Sequence, residues 1–561
     1  MKQIIECVPN FSEGRDMNII KQITDVIERV DGVMLLDVDP GKDTNRTVVT
    51  FAGEPGPVMD AAVACVAKAK ELIDMTKHCG AHPRMGATDV CPLVPVSNIT
   101  MEECVELAKV LGKRINEATG IPVYLYGEAA QRKDRYNLPD IRKGEYEALE
   151  EKLKDPDFAP DFGEPVFLPK SGATAVGARA FMLAYNINLN TRDLKAAQDI
   201  AMTIRSSGRA KRDAKGQIVK DKNGVTVKVP GKLKFCQAGG WYIEEYGYAQ
   251  ITMNLHRFDI TGLHTAFDTV VKEAEKKGLR VTGSELIGLA PLQAMLDAGE
   301  HYLKLQGTST ACPEKEIIYC AVRSLGLADT SPFDPQKRIV EYALKNEKGQ
   351  LKHLSVNDFT DLLSSNAPAP GGGSVAALNA ALAAGLAAMV ANLTFENMNY
   401  ENVREDMENA GRYAQRLKMR ALSLIDEDTA AFNAWMQALR LPKKSDDEKA
   451  RRDAVVQRAV LSAVNIPLDT LKLCPDILKT AEFVLKKGNQ NALSDATVGV
   501  RQTQAAAWGA YYNILINLPS LDDPKKRESI LKTAKETMDA VESKAAKLTL
   551  FAEEKLTHAI G

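Results

Sequence analysis

The spacing of apolar residues changes character once along this chain, near residue 326, and that change limits what the chain can fold into. Before it, short apolar runs alternate with amphipathic stretches, the pattern of strands and helices packed in layers. After it, from about residue 355 to 558, helical spacing continues with strand signals essentially absent, which predicts an all-α bundle. At 561 residues the chain exceeds a single hydrophobic core, and length alone suggests about three to four domains.

The first half reads as two successive α/β units. In the first, Gly32–Val38 and Arg46–Ala52 are predicted strands with Pro40-Gly41 punctuating the link between them. Val58, Ala61, Ala62, Cys65, Ala69 and Leu72 share one face of a predicted helix over Pro57–Ile73. Thr100 and Glu103 form a capping box ahead of a helix from Met101 to Leu111, and Val123–Tyr126 is another strand. In the second unit, strands at Ala184–Leu189, Tyr248–Leu255 and Val281–Ile287 alternate with helices at Asp193–Ser207 and Leu263–Lys277. A lysine-rich hairpin over Gln217–Lys228 turns on Asn223-Gly224, the type I′ dipeptide. The expected architecture is two α/β sandwich (ferredoxin-like) subdomains followed by an all-α helical bundle. Its boundaries fall at 1–180, 181–327, a turn-rich connector at 328–354, and 355–561.

Composition narrows the function classes. A formal net charge of −2 carries no electrostatic footprint for nucleic acid. The nine cysteines are scattered without CxxC spacing, so they read as reduced packing thiols of a cytoplasmic protein, with no metal site. Met1–Pro9 leads straight into a strand with no apolar signal core before it. Ser374–Leu393 is long enough to span a bilayer, but its alanine content and its Asn379 and Asn392 favour the central helix of a soluble bundle over membrane insertion.

The densest chemistry lies in Gly80-Ala81-His82-Pro83-Arg84-Met85-Gly86-Ala87. Histidine takes and returns a proton near neutral pH, and here a proline and two glycines fix the loop that carries it. With an arginine beside it, the loop suggests an anion site with a proton shuttle; the alternative is a histidine that merely flanks a turn.

Longer motifs carry a resemblance. Val8-Pro9-Asn10-Phe11-Ser12-Glu13-Gly14-Arg15, Asp37-Val38-Asp39-Pro40, Thr44-Asn45-Arg46-Thr47, the His82 loop and Gly172–Arg179 with Asn186-Ile187-Asn188 resemble the formimidoyltransferase family. Ala369-Pro370-Gly371-Gly372-Gly373-Ser374, Asp428 with Phe432, Leu441-Pro442-Lys443, Gly488-Asn489 and Ser494-Asp495 resemble the formimidoyltetrahydrofolate cyclodeaminase/cyclohydrolase family. In this order they are similar to the bifunctional formimidoyltransferase-cyclodeaminase family, over nearly the whole chain. The resemblance implies two consecutive reactions of histidine degradation. The formimidoyl group of N-formimidoyl-L-glutamate passes to N5 of tetrahydrofolate, and 5-formimidoyltetrahydrofolate then closes to 5,10-methenyltetrahydrofolate with release of ammonia. It implies tetrahydrofolate as co-substrate in (poly)glutamylated form, a ring-like homo-oligomer, His82 as the transferase histidine, and a folate loop of Gly163-Glu164-Pro165-Val166-Phe167-Leu168-Pro169-Lys170-Ser171-Gly172. A methenyltetrahydrofolate cyclohydrolase in the helical part is the alternative, because its motifs are shared.

Within that frame each residue type has a chemical reason. One near-neutral group, His82, can both deprotonate N5 and protonate the departing glutamate nitrogen. Asp39, expected on the loop after a strand, is the candidate to hold the other ring nitrogen; it reads alternatively as a turn-former before Pro40. Arg46 and Arg84 are candidates to clamp substrate carboxylates. In the helical part, Asp428 shares a face with Leu424, Phe432, Trp435 and Leu439, so it should be desolvated and fit to shuttle a proton. Asp426 projects roughly 200° away and should be wetter. Gly372 and Ser374, at the start of a helix, are candidate folate contacts, and Asn489 and Asp495 are expected to complete the pocket, with simple capping as the alternative for Asn489.

Overall fold

A computed structural model describes residues 3–558 except 43, 81, 245 and 345–350; Ala81 of the histidine loop and the middle of the expected connector therefore lie outside the described residues. The chain forms two compact units, Met1–His301 with Ile318–Asn346, and Tyr302–Ile317 with Glu347–Gly561.

Among the described residues the first unit holds two large sheets and a two-stranded ribbon. The larger has seven strands: β1 (Ile4–Cys7), β2 (Asn10–Phe11), β3 (Val33–Gly41), β4 (Arg46–Gly53), β5 (Thr88–Ser97), β6 (Val123–Gly127) and β7 (Thr174–Ala178). Across it the order is β3, β4, the interrupted pair β1 and β2, β5, β7, β6. Pairings are antiparallel except at β7, which runs parallel to β5 and β6. Three helices cover one face. Met17–Glu28 starts where the Asp16 carboxylate accepts the Asn18 and Ile19 amides. Pro55–Leu72 lacks such a cap, and Met101–Thr119 carries the expected Thr100–Glu103 capping box. Their apolar stripes bury Ile23, Ala62, Cys65, Ala108 and Leu111 against Ile5, Cys7, Phe51 and Leu93 of the sheet.

One element differs from its expected extent. β3 continues through Asp39 and Pro40, which pair with Val48 and Thr47. It is an edge strand, bonded only to β4, the place in a sheet where proline is tolerated. Asp39 consequently sits in a strand and not on the loop after one.

The second sheet contains β8 (Leu183–Leu189), β11 (Cys236–Ile243), β12 (Tyr248–Leu255) and β13 (Val281–Ile287), ordered β11-β12-β8-β13 and antiparallel throughout. Helices Leu194–Ile204 and Leu263–Glu275 link them in the order β-α-β-β-α-β. The same order and the same spatial arrangement, β3-β4-β1-β5, underlie the first sheet, which β7 and β6 then extend. Between β8 and β11 the chain forms β9 (Arg209–Ala210) and β10 (Lys228–Val229), bracketing the lysine-rich projection. Its turn is not type I′, because only Gly224 of the Asn223-Gly224 pair takes a positive φ (76°). The Asp221 carboxylate fixes that turn by accepting the Asn223 and Val225 amides, and Asp213 does the same for Lys215 and Gln217.

The second unit is helical. Helices Arg404–Leu439, Asp446–Lys487, Leu493–Asn517 and Pro524–His558 pack with Gly372–Phe395. That alanine-rich helix is long and apolar enough to cross a membrane, yet it packs inside the bundle through Ala376, Ala380, Ala383, Ala387 and Ala391, all buried. The unit is not continuous in sequence. The earlier segment Tyr302–Ile317 belongs to it, with Ser309 Oγ donating to Asn392 Oδ1 (2.8 Å) and Thr310 Oγ1 to Glu408 Oε1 (2.6 Å).

Candidate functional site

Each unit brings several of the candidate residues together. In the first unit, the strand ends of the larger sheet bring together segments far apart in sequence. The Ser12 hydroxyl donates to the Gly86 carbonyl (2.7 Å), and the Asn45 amide joins the Gly14 amide (3.0 Å) and the Cys79 carbonyl (3.1 Å). The Gly163–Gly172 loop is stitched to the histidine loop: the Ala87 amide donates to Ser171 (2.8 Å) and the Ala173 amide to Met85 (3.0 Å). Gly172 takes φ 62° there, and a Cβ on it would lie 2.2 Å from the Met85 carbonyl oxygen, so only glycine fits. Gly163, Glu164, Pro165, Val166, Pro169 and Lys170 are exposed, Phe167 and Leu168 half-buried, Ser171 and Gly172 buried.

His82 is half-buried, and its Nδ1 lies 2.7 Å from the Pro83 carbonyl oxygen. A carbonyl only accepts, so Nδ1 carries the proton of the neutral ring and Nε2 keeps a free lone pair. Burial holds the imidazole below its ordinary pKa, and the Arg46 and Arg142 cations push it lower against the Pro83 carbonyl and Glu145. The ring is therefore set up as a neutral base.

The structure corrects the role expected of Asp39. The backbone already fixes the His82 tautomer, and exposed Asp39 instead exerts its attraction on Arg46. Arg84 is corrected as well. Its Nη1 donates to Glu145 (3.0 Å) and Glu147 (2.8 Å), its Nη2 to Glu147 (2.6 Å), and its Nε to His78 Nδ1 (3.1 Å). With its donors spent it is a latch on the loop, not a substrate clamp. His78 completes the latch by donating from Nε2 to the Asn45 carbonyl (2.8 Å). Arg46 is the reverse case: half-buried, with its Nε buried and lacking a hydrogen-bond partner among the described residues, and with Asp89 and Asp39 nearby.

Sequence reasoning missed Asp89 and Arg142 as site residues. Asp89, 1% exposed, accepts the Met85 amide (3.1 Å) and Arg142 Nε (3.1 Å), and Arg142 Nη2 closes the pair. The buried pair braces the His82 loop from within. No local pattern around residue 142 announces it. Residues His78, Cys79, Gly80, Arg84, Gly144, Glu145 and Glu147 line a cavity of about 410 Å³ beside the loop.

In the second unit the start of helix Gly372–Phe395 meets helix Arg404–Leu439. Ser374 is fully buried and donates from Oγ to Asp428 Oδ2 (2.9 Å). Burial raises the Asp428 carboxyl pKa above its ordinary value, and the Ser374 hydroxyl and amide pull it back. Asn513, from helix Leu493–Asn517, lies beside Gly372 and was not anticipated: a Cβ on that glycine would come 3.2 Å from its amide nitrogen.

Three expectations change here. Asp426 is half-buried, as Asp428 is, because the distant segment Leu351–His353 covers it. Leu351 donates its amide to Asp426 (2.6 Å), whose side chain is only 22% exposed. Asn489 does not join Asp428, and Asp495 sits in the first turn of helix Leu493–Asn517, roughly 27 Å at 1.5 Å per residue from the Asn513 that lies beside Gly372. The Asn489 amide donates to Thr394 (2.8 Å), at the far end of the same helix and roughly 30 Å from Ser374 at 1.5 Å per residue. Asn489 itself caps a short turn through the Asn491 amide (3.0 Å).

Three family models match in chain order: "Formiminotransferase domain, N-terminal subdomain" over 4–179, "Formiminotransferase domain" over 184–345 and "Formiminotransferase-cyclodeaminase" over 355–536. The chain is similar to the formimidoyltransferase-cyclodeaminase of Dictyostelium discoideum, 42% identical over 564 residues that cover 99% of this chain and 100% of that one. It is also similar to the glutamate formimidoyltransferase of Streptococcus pyogenes serotype M1, 42% identical over 54% of this chain and 95% of the relative. A methenyltetrahydrofolate cyclohydrolase of Methylorubrum extorquens is 38% identical over 32% of this chain and 86% of the relative.

Proposed function

Because this chain belongs to the formimidoyltransferase-cyclodeaminase family, we propose that its two clusters perform the two reactions in turn, transfer at His82 and cyclisation with loss of ammonia at Asp428. It is a bifunctional enzyme, a glutamate formimidoyltransferase and a formimidoyltetrahydrofolate cyclodeaminase. The observation that carries the residue assignment is the neutral, tautomer-fixed imidazole of His82 beside the unspent guanidinium of Arg46.

In the first reaction, N5 of tetrahydrofolate attacks the formimidoyl carbon of N-formimidoyl-L-glutamate. The N5–carbon bond forms, His82 Nε2 takes the N5 proton, and the same proton goes to the glutamate nitrogen as its bond to carbon breaks. Arg46 pairs with a substrate carboxylate, and the Gly163–Gly172 loop forms a wall for the folate. In the second reaction, N10 attacks the formimidoyl carbon, the N10 proton passes to the imino nitrogen as its double bond to carbon opens, and after one further protonation that carbon–nitrogen bond breaks to release ammonia. The Asp428 carboxyl, its pKa raised by burial, supplies the proton that makes the amine a leaving group. No step is assigned to a metal. The reading includes polyglutamylated folate as co-substrate, a homo-oligomer, a cytoplasmic setting and a place in histidine degradation; the twin β-α-β-β-α-β orders support ferredoxin-like halves for the transferase.

The test supplies N-formimidoyl-L-glutamate and tetrahydrofolate and follows methenyl-folate absorbance together with ammonia. Both products appear with the unmodified protein, His82→Ala blocks both, and Asp428→Asn accumulates formimidoyl-folate. Formimidoyl-folate without ammonia would favour the cyclohydrolase reading, which the Methylorubrum relative supports, and absence of transfer would sink the proposal.

A further inference from the structure

Gly371-Gly372-Gly373-Ser374 resembles an open ligand loop in sequence, but in the structure its last two residues are occupied. Gly373 and Ser374 are buried, and a Cβ on Gly373 would lie 2.2 Å from Asp428 Oδ1 and 2.7 Å from Oδ2. The absent side chain is the space the carboxylate fills. Ser374 Oγ has one proton and three acceptors in reach: Asp428 Oδ2 at 2.9 Å, the Ile425 carbonyl at 3.3 Å and Thr429 Oγ1 at 3.3 Å. The carboxylate is nearest and is the charged acceptor, so it takes the proton, which leaves the Thr429 hydroxyl free to donate to Ser374 Oγ. The Ser374 amide, one of the unpaired N–H groups of the first helical turn, bonds the same carboxylate.

We propose that Ser374 is a positioning residue of the cyclodeaminase site, holding the Asp428 carboxylate at the start of helix Gly372–Phe395 in the space left by Gly373, and is not itself a folate contact. The inference rests on the reading of Asp428 as the cyclodeaminase acid. Asp428 projects from the middle of a helix, and Ser374 binds it through two donors on one residue. The aspartate is thereby tied to a second helix and its rotamer is fixed before substrate arrives. Burial and the two Ser374 donors set its titration. Among the described residues no charged side chain enters that balance. Asp426 with Lys352, and Arg420 with Glu427 and Asp469, pair with one another instead.

The experiment measures cyclisation of 5-formimidoyltetrahydrofolate by the full-length protein across pH, with thermal melting as a check on folding. In Ser374→Ala the ionised carboxylate loses one donor, so the limb of the kcat profile belonging to Asp428 moves up by about one pH unit. Because the carboxyl is no longer held in place, the plateau kcat falls about tenfold or more, and KM stays within about twofold. Ser374→Cys, close in shape but a weaker donor, gives a smaller upward shift and serves as the probe should the alanine variant not fold. A raised KM with an unmoved profile would make Ser374 a folate contact and overturn the proposal. An unchanged rate and profile would overturn it too. If Asp428→Asn cyclises at the unmodified rate, the assignment of Asp428 fails instead, whatever the Ser374 variants do.

Discussion

The two clusters solve the problem of placing a proton-transfer group in opposite ways. His82 sits on a loop, and nearly everything that fixes it comes from elsewhere in the chain: Glu145 and Glu147 through Arg84, Arg142 through Asp89, Ser171 through the strand-like contact with Ala87. Asp428 sits in a helix, and its placement follows from that helix's own period plus one serine at the start of another. Their electrostatics differ in the same sense. Burial lowers the histidine pKa and raises that of the aspartate, because in each case it disfavours the charged form. Only the histidine has neighbouring cations that add to the effect. A loop site therefore depends on many distant residues, and a helix site on few.

The sharpest way to break this comparison is to remove each proton carrier separately. His82→Ala should slow transfer by about a hundredfold to ten-thousandfold, and Asp428→Asn should slow cyclisation by a similar factor with transfer left intact. Loss of both activities on replacing Asp428 would show that transfer also depends on the helical unit.

The next contrast lies between two arginines of the same cluster. Arg46→Ala should raise KM for N-formimidoyl-L-glutamate about tenfold to a hundredfold with little change in stability, since among the described residues its Nε has no partner to lose. Arg84→Ala should do the reverse. It leaves two carboxylates and an imidazole unpaired, with about 1–3 kcal/mol of stability lost in denaturant unfolding. Equal effects on KM from both would restore Arg84 as a substrate clamp.

A backbone substitution probes how tightly the loops are stitched. Gly172→Ala places a side chain at φ 62° against the Met85 carbonyl, so the melting temperature should drop in keeping with about 1–3 kcal/mol. A melting curve that does not move would mean that the Gly172–Met85 contact is slack.

The smallest expected effect is in pH dependence. The acid limb of transferase kcat/KM should lie below the ordinary histidine pKa of about 6.5, because burial, Arg46 and Arg142 all disfavour the imidazolium. Removing the Arg46 charge in Arg46→Met should move that limb to higher pH by a fraction of a unit, and a downward shift would contradict the electrostatic account.

Local chemistry was legible wherever it acts within one element. The capping box at Thr100 and Glu103 forms as read, and the face that puts Asp428 among Leu424 and its neighbours follows from helical period alone. Illegible were relations between elements. Nothing near Arg84 reveals that Glu145 and Glu147 occupy its fork, or near Asp426 that Leu351 covers it. Asn489 shared a motif family with Ser374 but lies near the other end of the helix that Ser374 begins, because a helix separates what its two ends contact.

The sequence by itself determined the α/β-then-helical order, the strands and helices with strong periodicity, and the residues with the right chemistry for two folate reactions. Those depend on spacing along one chain direction, where propensity and period act. The tertiary structure decided which arginine is spent and which is left open, which carbonyl holds the histidine tautomer, and which acid a buried serine holds. Each of those depends on a partner brought in by packing from dozens of residues away, and neither burial nor hydrogen-bond geometry exists until the chain has folded.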